Sequence, residues 1–311
     1  MTKITRVLAL VFVVVSTAHP FSIDSLFDPI IRPFDLLPDY YTRFDLSTFA
    51  LHRNAFFKRQ YLAEPHPELE FCFLSYKNLI ASVWSADFQF GLGEVPGNNT
   101  FTVLNVAFGI NPMIELRLRD LRITGGLSHH CYHEIDRSDF PIVYDNKLFC
   151  FASSNNARIN DYFHTLSADK SFSCKNRIAW DAEAGYYLRE FFGLASPAKL
   201  NGNNPLLWEA KTTCRYAIRR SLSWIFTARG ESTVGTFSTM GGYHVASASN
   251  WYWKQAVGGE AFFVRGSRGV SLYVLYNLDD LPVEPNAPSF TLGNSRFSKN
   301  GLAQIGITFF N

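Results

Sequence analysis

The stretch IELRLRDLRITGGLSHHCYHEID, residues 114–136, decides the fold. Apolar and charged residues alternate from Ile114 to Arg119, and this period of two is typical of a half-buried β-strand. The alternation changes phase before Leu121. The pattern therefore predicts one long strand with an extra residue, a β-bulge, near Arg119–Asp120.

The same alternation recurs along most of the chain and predicts an all-β protein. It is clearest in Trp84–Phe90, where aromatic and small residues occupy one face and polar residues the other. Asn111-Pro112 is typical of a tight turn. Further predicted strands are Phe101–Phe108, Lys147–Ala152, Ser171–Trp180, Ala184–Phe192, Tyr216–Ala228, Val270–Tyr276 and Ala303–Phe310.

The N-terminus predicts export. Lys3 and Arg6 precede a short apolar run and the small residues up to Ala18, which is the pattern of a cleaved secretory signal peptide. The run is shorter than the ~20 apolar residues of a membrane-spanning helix. The predicted organisation is a signal peptide in 1–18, an extended proline-rich arm in 19–39 and a barrel in 40–311.

Composition and charge exclude several classes of function. Removal of 1–18 leaves 27 Lys+Arg and 27 Asp+Glu, since two of the 29 basic residues lie in the leader. A neutral chain lacks the basic face that nucleic-acid binding needs. The five cysteines form no CxxC pair, so no zinc-ribbon or redox motif is present, and no cofactor is predicted. The odd number leaves one thiol over, available for a disulfide with another molecule.

Two architectures suit an exported, alternating, aromatic-rich chain: a soluble β-sandwich and a transmembrane β-barrel. Arginines within the predicted strand Tyr216–Ala228 suit a watery lumen better than a dry core. The alternating final strand with its terminal aromatic residues is similar to the C-terminal signal of bacterial outer-membrane barrels, although Asn311 follows it. We therefore predict a closed antiparallel transmembrane β-barrel of about 12–14 strands in the outer membrane of a Gram-negative cell.

A polar motif at the end of the opening stretch resembles an uncharacterised envelope family, domain of unknown function twelve-oh-seven, whose pattern is roughly H-x-S-S-H-x-G-D. His129, His133 and Asp136 match that spacing, whereas Cys131 and its neighbours differ from the family's serines and glycine. Leu26-Phe27-Asp28-Pro29, Arg158-Ile159-Asn160 and the final strand are also similar. The resemblance implies an outer-membrane barrel and no particular activity.

The motif supports three interpretations. On a strand, His129, Cys131 and His133 share one face, and His and Cys two residues apart can both ligate a zinc-like ion. Alternatively, His129 or His133 acts as a general base with Asp136 as the carboxylate in the hydrolysis of a lipid ester. A third interpretation is a polar network without a reaction.

These observations predict a non-enzymatic barrel, either structural or a narrow pore, as the first hypothesis, and an outer-membrane lipid hydrolase as the second. The expected partners are outer-membrane lipid and the barrel-assembly machinery. Because no serine is marked out as a nucleophile, the sequence alone does not select between them.

Overall fold

The computed structural model describes residues 34–50, 63–77, 79–93, 102–134, 143–188, 206–221, 224–237, 251–279 and 301–311. Its elements, in chain order, are β1 (Phe34–Ala50), β2 (Glu64–Tyr76), β3 (Ile80–Gly93), β4 (Thr102–Arg117), β5 (Leu121–Glu134), β6 (Val143–Ser154), α1 (Ile159–Ala168), a 3₁₀ helix (Cys174–Arg177), β7 (Ile178–Leu188), β8 (Leu206–Ser221), β9 (Trp224–Phe237), β10 (Trp251–Arg265), β11 (Arg268–Asp279) and β12 (Ala303–Phe310). The predicted signal peptide and most of the predicted arm lie outside the described residues.

The twelve strands form one closed antiparallel barrel in which each strand pairs with its neighbours in sequence. The ring closes where β1 pairs with β12, from Arg43 opposite Phe310 to Ala50 opposite Ala303. Closure satisfies the backbone hydrogen bonds that an edge strand would leave open, which a sheet in hydrocarbon requires. The predicted closed barrel and its strand number are thus confirmed. β1 begins at Phe34, so the last six residues of the predicted arm belong to the barrel.

Side chains on the two sides of the wall differ in chemistry. Large apolar side chains that are exposed on the outer side include Trp84, Phe88, Ile110, Ile114, Leu148, Ile218, Val257, Leu272 and Val274. The inner side carries charged groups in close pairs. Arg215 Nε donates to Glu260 Oε2 at 2.8 Å, and Lys211 Nζ lies 2.9 Å from Glu209 Oε1. Apolar outside and polar inside is the pattern of a barrel that spans a membrane.

Short turns collect at one end of the barrel, and this corrects three sequence predictions. The phase change near Arg119–Asp120 is the β4–β5 turn and not a bulge within one strand. Tyr216–Ala228 is likewise two strands, β8 and β9, and its irregular alternation marks the connection between them. Asn111-Pro112 lies inside β4, where Pro112 is opposite Trp84 in the ladder.

The β6–β7 connection contains two helices that the sequence did not predict. The first is α1, and the second, the 3₁₀ helix, lies where a strand was predicted. Ser171–Trp180 is a turn followed by the 3₁₀ helix, and β7 begins only at Ile178. In α1, Tyr162 and Leu166 are fully buried and pack with the inward side chains Ala217, Ile225 and Phe262. Hence α1 lies inside the barrel at the short-turn end. None of the described helices is long and apolar enough to cross a membrane.

Ion pairs and a capping network fix α1 across this mouth. Arg158 pairs with Glu70 of β2, and Arg122 Nη2 of β5 lies 3.2 Å from Asp161 Oδ2. The Arg220 guanidinium donates to the Leu166 carbonyl at 2.5 Å. Because these partners lie on strands far apart around the ring, the helix contacts opposite walls at once.

Candidate active site on the outer face of β5 and β6

β5 carries two pairs of polar side chains on opposite sides of the barrel wall: Ser128 with His130, and His129 with Cys131. Arg122, Thr124, Ser128 and His130 line the interior. Strict alternation therefore directs His129 and Cys131 outward. The structure thus separates the two adjacent histidines of the motif, one to each side of the sheet.

On the outer side, three side chains form a chain of contacts. The Cys131 Sγ lies 3.6 Å from His129 Nε2, and His129 Nδ1 lies 2.7 Å from the Asn146 Oδ1 of β6. An amide oxygen only accepts hydrogen bonds, so this contact is a hydrogen bond in the tautomer that carries the proton on Nδ1. The lone pair of Nε2 then faces the thiol, which is the arrangement of a nucleophile, a base and a group that orients the base.

The β-ladder explains why these residues meet. His129 is directly opposite Asn146 in the β5–β6 register, and Cys131 is two residues farther along β5 on the same face. The nearest neighbours in that register are apolar: Ile110 is opposite His129 on β4 and Leu148 follows Asn146 on β6. Cys131 is 3% exposed, whereas Ile110 and Leu148 are 45% and 48% exposed.

The site lies where the apolar outer surface of β5 ends. Outward positions from Leu121 to Leu127 carry apolar residues or glycine, and the next outward residue is His129. Cys131 is three residues from the end of β5, on the side of the long connections. A membrane barrel has its polar–apolar boundary at such a position, at the level of the lipid interface.

On the inner side of the same strand, a second polar group forms a different arrangement. Asp87 of β3 lies between two imidazoles, with 3.5 Å from its Oδ1 to His130 Nε2 and 3.6 Å from its Oδ2 to His66 Nε2. Ser128 Oγ lies 3.0 Å from His130 Nδ1. Gly109 makes room for this cluster, because a Cβ there would stand 2.3 Å from Asp87 Oδ1 and 2.5 Å from His130 Cδ2.

The remaining predicted site residues are only partly described. His133 is in β5 with its backbone opposite Val106, and its side chain lies outside the described part, as does the whole of Asp136. Within the described residues, no group of three or more His, Cys, Asp or Glu side chains is arranged to hold a metal ion. The metal site of His129, Cys131 and His133 and the catalytic roles of His133 and Asp136 therefore stay predictions.

Sequence reasoning missed Asn146, Asp87 and His66. Asn146 directly precedes the predicted strand Lys147–Ala152, so its polar side chain was the available signal at a strand start. Asp87 lies on the polar side of the clearest alternating strand, where the sequence does not separate it from other polar residues. Only its contacts with His66 of β2 and His130 of β5 mark it as part of a cluster. The five cysteines all lie among the described residues and none forms a disulfide.

Asp169, at the mouth of the barrel, is an ionisable group with a clearly perturbed pKa. Hydrogen bonds from Ser171, Ser173 and Asn176 hold the pKa of Asp169 well below its usual value, because they favour the ionised carboxylate. Ser171 Oγ donates to Oδ1 at 2.6 Å, and Ser173 Oγ donates to Oδ2 at 2.7 Å. Asp169 thus organises the chain between α1 and the 3₁₀ helix.

Comparisons with known proteins found several solved structures of outer-membrane proteins. Solved structures similar to this chain include outer membrane phospholipase A from Escherichia coli, with 10% identity, a TM-score of 0.44 and coverage of 89% of this chain and 98% of that one. NanC porin (11%, 0.39, 86% and 97%) and OmpT of Vibrio cholerae (8%, 0.36, 88% and 98%) are also similar. No protein-family model and no curated protein matches the sequence, so membership of the family twelve-oh-seven stays a prediction.

The fold and the polarity of its two sides define the class of protein: a membrane-spanning β-barrel of the outer-membrane type. At these levels of identity and overlap, the similar structures describe the shape of the barrel alone. Any activity of this chain must be argued from its own side chains.

Proposed function

We propose that this protein is an outer-membrane lipid hydrolase in which Cys131 is the nucleophile, His129 the general base and Asn146 the residue that orients it. The observation that carries the proposal is the continuous contact from thiol to imidazole to amide on the outer face of β5 and β6. Cys-His-Asn is a known variant of the Ser-His-Asp arrangement, which is recognised by geometry and not by fold.

The position of the thiol supports a lipid ester as the substrate. Ester carbonyls of membrane lipids lie near the boundary between hydrocarbon and headgroups, and the apolar outer run of β5 ends beside His129. The exposed Ile110 and Leu148 offer an apolar surface for acyl chains next to this site. The Cys131 thiol is covered by neighbouring protein atoms, so the ester must displace a side chain to reach the sulfur, and the exposed Ile110 and Leu148 mark the side that faces the lipid.

The residues support a two-step reaction. His129 Nε2 takes the thiol proton, and the sulfur attacks the ester carbonyl to form a thioester. The ester C–O bond breaks as the imidazolium returns the proton to the departing alcohol oxygen. His129 then takes a proton from water, the hydroxide attacks the thioester, and the fatty acid leaves as the proton returns to the thiolate sulfur.

The test is fatty-acid release from phosphatidylethanolamine vesicles that contain the purified full-length protein. We expect Cys131→Ala to reduce the rate by about 10³-fold or more, since the variant lacks the attacking atom. Cys150→Ala is the matched control, because it removes a different outward-facing thiol, on β6. We expect it to leave the rate unchanged. A thioester intermediate is labelled by a radioactive acyl chain and released by neutral hydroxylamine. Equal release by the wild type and Cys131→Ala would reject the proposal.

A narrow pore is the second candidate, and the polar cavity inside the barrel favours it. The cavity has a volume of about 740 Å³, but α1 lies across the short-turn mouth. Ions would have to pass beside the helix. Recordings in planar bilayers decide this point, because a complete lack of conductance at every voltage removes the pore. The proposal includes an outer-membrane location, reached after signal-peptide cleavage near Ala18.

A further inference from the structure

The barrel interior contains a cavity whose walls have unused hydrogen-bonding capacity. Several buried nitrogen and oxygen atoms of the described side chains have no hydrogen-bond partner, and all of them belong to residues that line this cavity. They are Arg43 Nε, Gln89 Oε1, Asn111 Oδ1 and Arg229 Nε, together with two atoms that have an ion-pair neighbour beyond hydrogen-bond distance: His66 Nε2, 3.6 Å from Asp87 Oδ2, and Arg229 Nη1, 3.8 Å from Glu260 Oε1. Buried polar groups in native proteins are nearly always satisfied, so their position around one cavity indicates a polar occupant.

The unused atoms include both donors and acceptors, and they stand on different walls. The guanidinium N–H groups of Arg43 and Arg229 can only donate, whereas the amide oxygens of Gln89 and Asn111 can only accept. Arg229 is fixed in place, since its Nη2 lies 2.5 Å from Glu231 Oε1 and its side chain is 10% exposed. A hydroxyl group meets both needs, because it can accept from an arginine and donate to an amide oxygen.

Charge and shape narrow the ligand class further. The lining residues include nine Asp or Glu and eight Lys or Arg, so the cavity as a whole attracts neither anions nor cations strongly. Tyr41, Tyr187 and Tyr273 also line it and offer aromatic surface to the C–H faces of a ring. Cavities of about 300–1,000 Å³ hold small organic ligands, and a volume of about 740 Å³ is within that range.

The floor of the cavity is the beginning of α1. Arg158 and Ile159 line it, and Arg158 is tied to Glu70. A ligand therefore reaches the cavity from the end with the long connections and meets the helix at the bottom. This geometry is that of a cup whose bottom is the beginning of α1.

We propose that this cup binds an uncharged, polyhydroxylated ligand, namely a neutral saccharide of one or two rings, either free or as the headgroup of a glycolipid. The site is independent of the proposed reaction at Cys131, which lies on the other side of the wall. Its recognition comes from Gln89 and Asn111 as acceptors and from Arg43 and Arg229 as donors.

The experiment is calorimetric titration of the full-length protein in a sugar-free zwitterionic detergent. Maltose probes the free saccharide, a monoglucosyl diacylglycerol in mixed micelles probes the headgroup source, and glucuronate probes a charged ring. We expect Gln89→Leu and Asn111→Leu each to weaken binding about tenfold or more, because each leaves a ligand hydroxyl without its acceptor. Asn111→Ser repeats the test with a smaller change in case a leucine prevents folding.

Gln255→Leu is the matched control, because Gln255 is an exposed residue of β10 that does not line the cavity. Binding of maltose, or of the glycolipid alone, that is lost in the lumen variants and kept in Gln255→Leu supports the proposal and identifies the source. Equal binding by all variants, binding of glucuronate without maltose, or binding of none of the three probes overturns it.

Discussion

The two faces of β5 carry similar side chains with different environments. Outside, the ring nitrogens of His129 contact a thiol and an amide oxygen. Inside, His130 also has two partners, but they are the Ser128 hydroxyl and the shared carboxylate of Asp87. The inner group is embedded among charged pairs, whereas the outer group borders exposed apolar side chains. A reactive site needs a substrate that can reach it, and only the outer group adjoins the lipid.

The largest expected effect separates the two histidines. His129→Gln removes the proposed base and should lower fatty-acid release by about 10²–10⁴-fold, which is the usual contribution of general base catalysis. His130→Gln removes the imidazole of the next residue in the sequence. It should leave the rate within about threefold of wild type, because the His130 imidazole faces the lumen. Rates on phosphatidylethanolamine vesicles measure both. A comparable loss in the two variants would mean that the faces do not have distinct roles.

Loss of the orienting amide should have an intermediate effect. Asn146→Leu leaves the thiol and the base in place but removes the acceptor for Nδ1–H, so a misplaced imidazole should reduce kcat by about 10²-fold. KM should change little, since Asn146 is not expected to hold the lipid. Asn146→Gln, which keeps an amide on a longer stem, should recover part of the rate. An Asn146→Leu enzyme with a normal kcat and a raised KM would contradict the orienting role.

The third effect is on stability and concerns the inner face. Gly109→Ala places a Cβ against Asp87 and His130, and overpacking of this kind costs about 1–3 kcal/mol. Gly125→Ala is the matched control, because the nearest atom to its Cβ would be the Phe149 carbonyl oxygen at 3.9 Å. Urea unfolding of both variants gives the free energies of unfolding. If the crowding is responsible, adding His130→Ala to Gly109→Ala should recover part of the stability, because it relieves the contact with the imidazole and leaves the contact with Asp87.

The smallest effect is expected at the short-turn mouth, away from both faces of β5, and provides a reference for the other three. The pKa of Asp169 is lowered by its three hydrogen-bond donors. Its contribution to stability is therefore present above the usual pKa of an aspartate, about 3.9, and is lost only as the pH falls through the lower folded value. Hydrogen exchange of residues 169–176 should stay slow between pH 7 and about pH 4. Asp169→Asn should accelerate it at every pH in that range, and an early loss of protection in the wild type would contradict the assignment.

Alternation made the barrel predictable from sequence, but it did not locate the turns. A two-residue period continues through a tight turn with only a change of phase, so Arg119–Asp120 resembled a bulge, and the irregular alternation within Tyr216–Ala228 was not recognised as the β8–β9 connection. The helix was missed for a different reason. Tyr162 and Leu166 are four residues apart on one helical face, but they are too few to show a clear period of 3.6.

The candidate site was only half predictable. His129 and Cys131 are two residues apart on one strand, so their shared face follows from sequence alone. Asn146 joins them through the β5–β6 register, which depends on where the connection between the strands begins and ends. The inner cluster needs three strands, and no pattern within a single strand identifies the pairing of Asp87 with both His66 and His130.

The seat of α1 has a consequence for the order of assembly. Its buried side chains belong to one apolar cluster with Phe310 of the last strand, and Tyr41 of the first strand packs against that cluster. These two residues stand on either side of the seam between the chain ends, so the helix gains its complete set of neighbours only after the ring has closed. The burial of this segment from the middle of the chain is therefore complete only when the two terminal strands have paired.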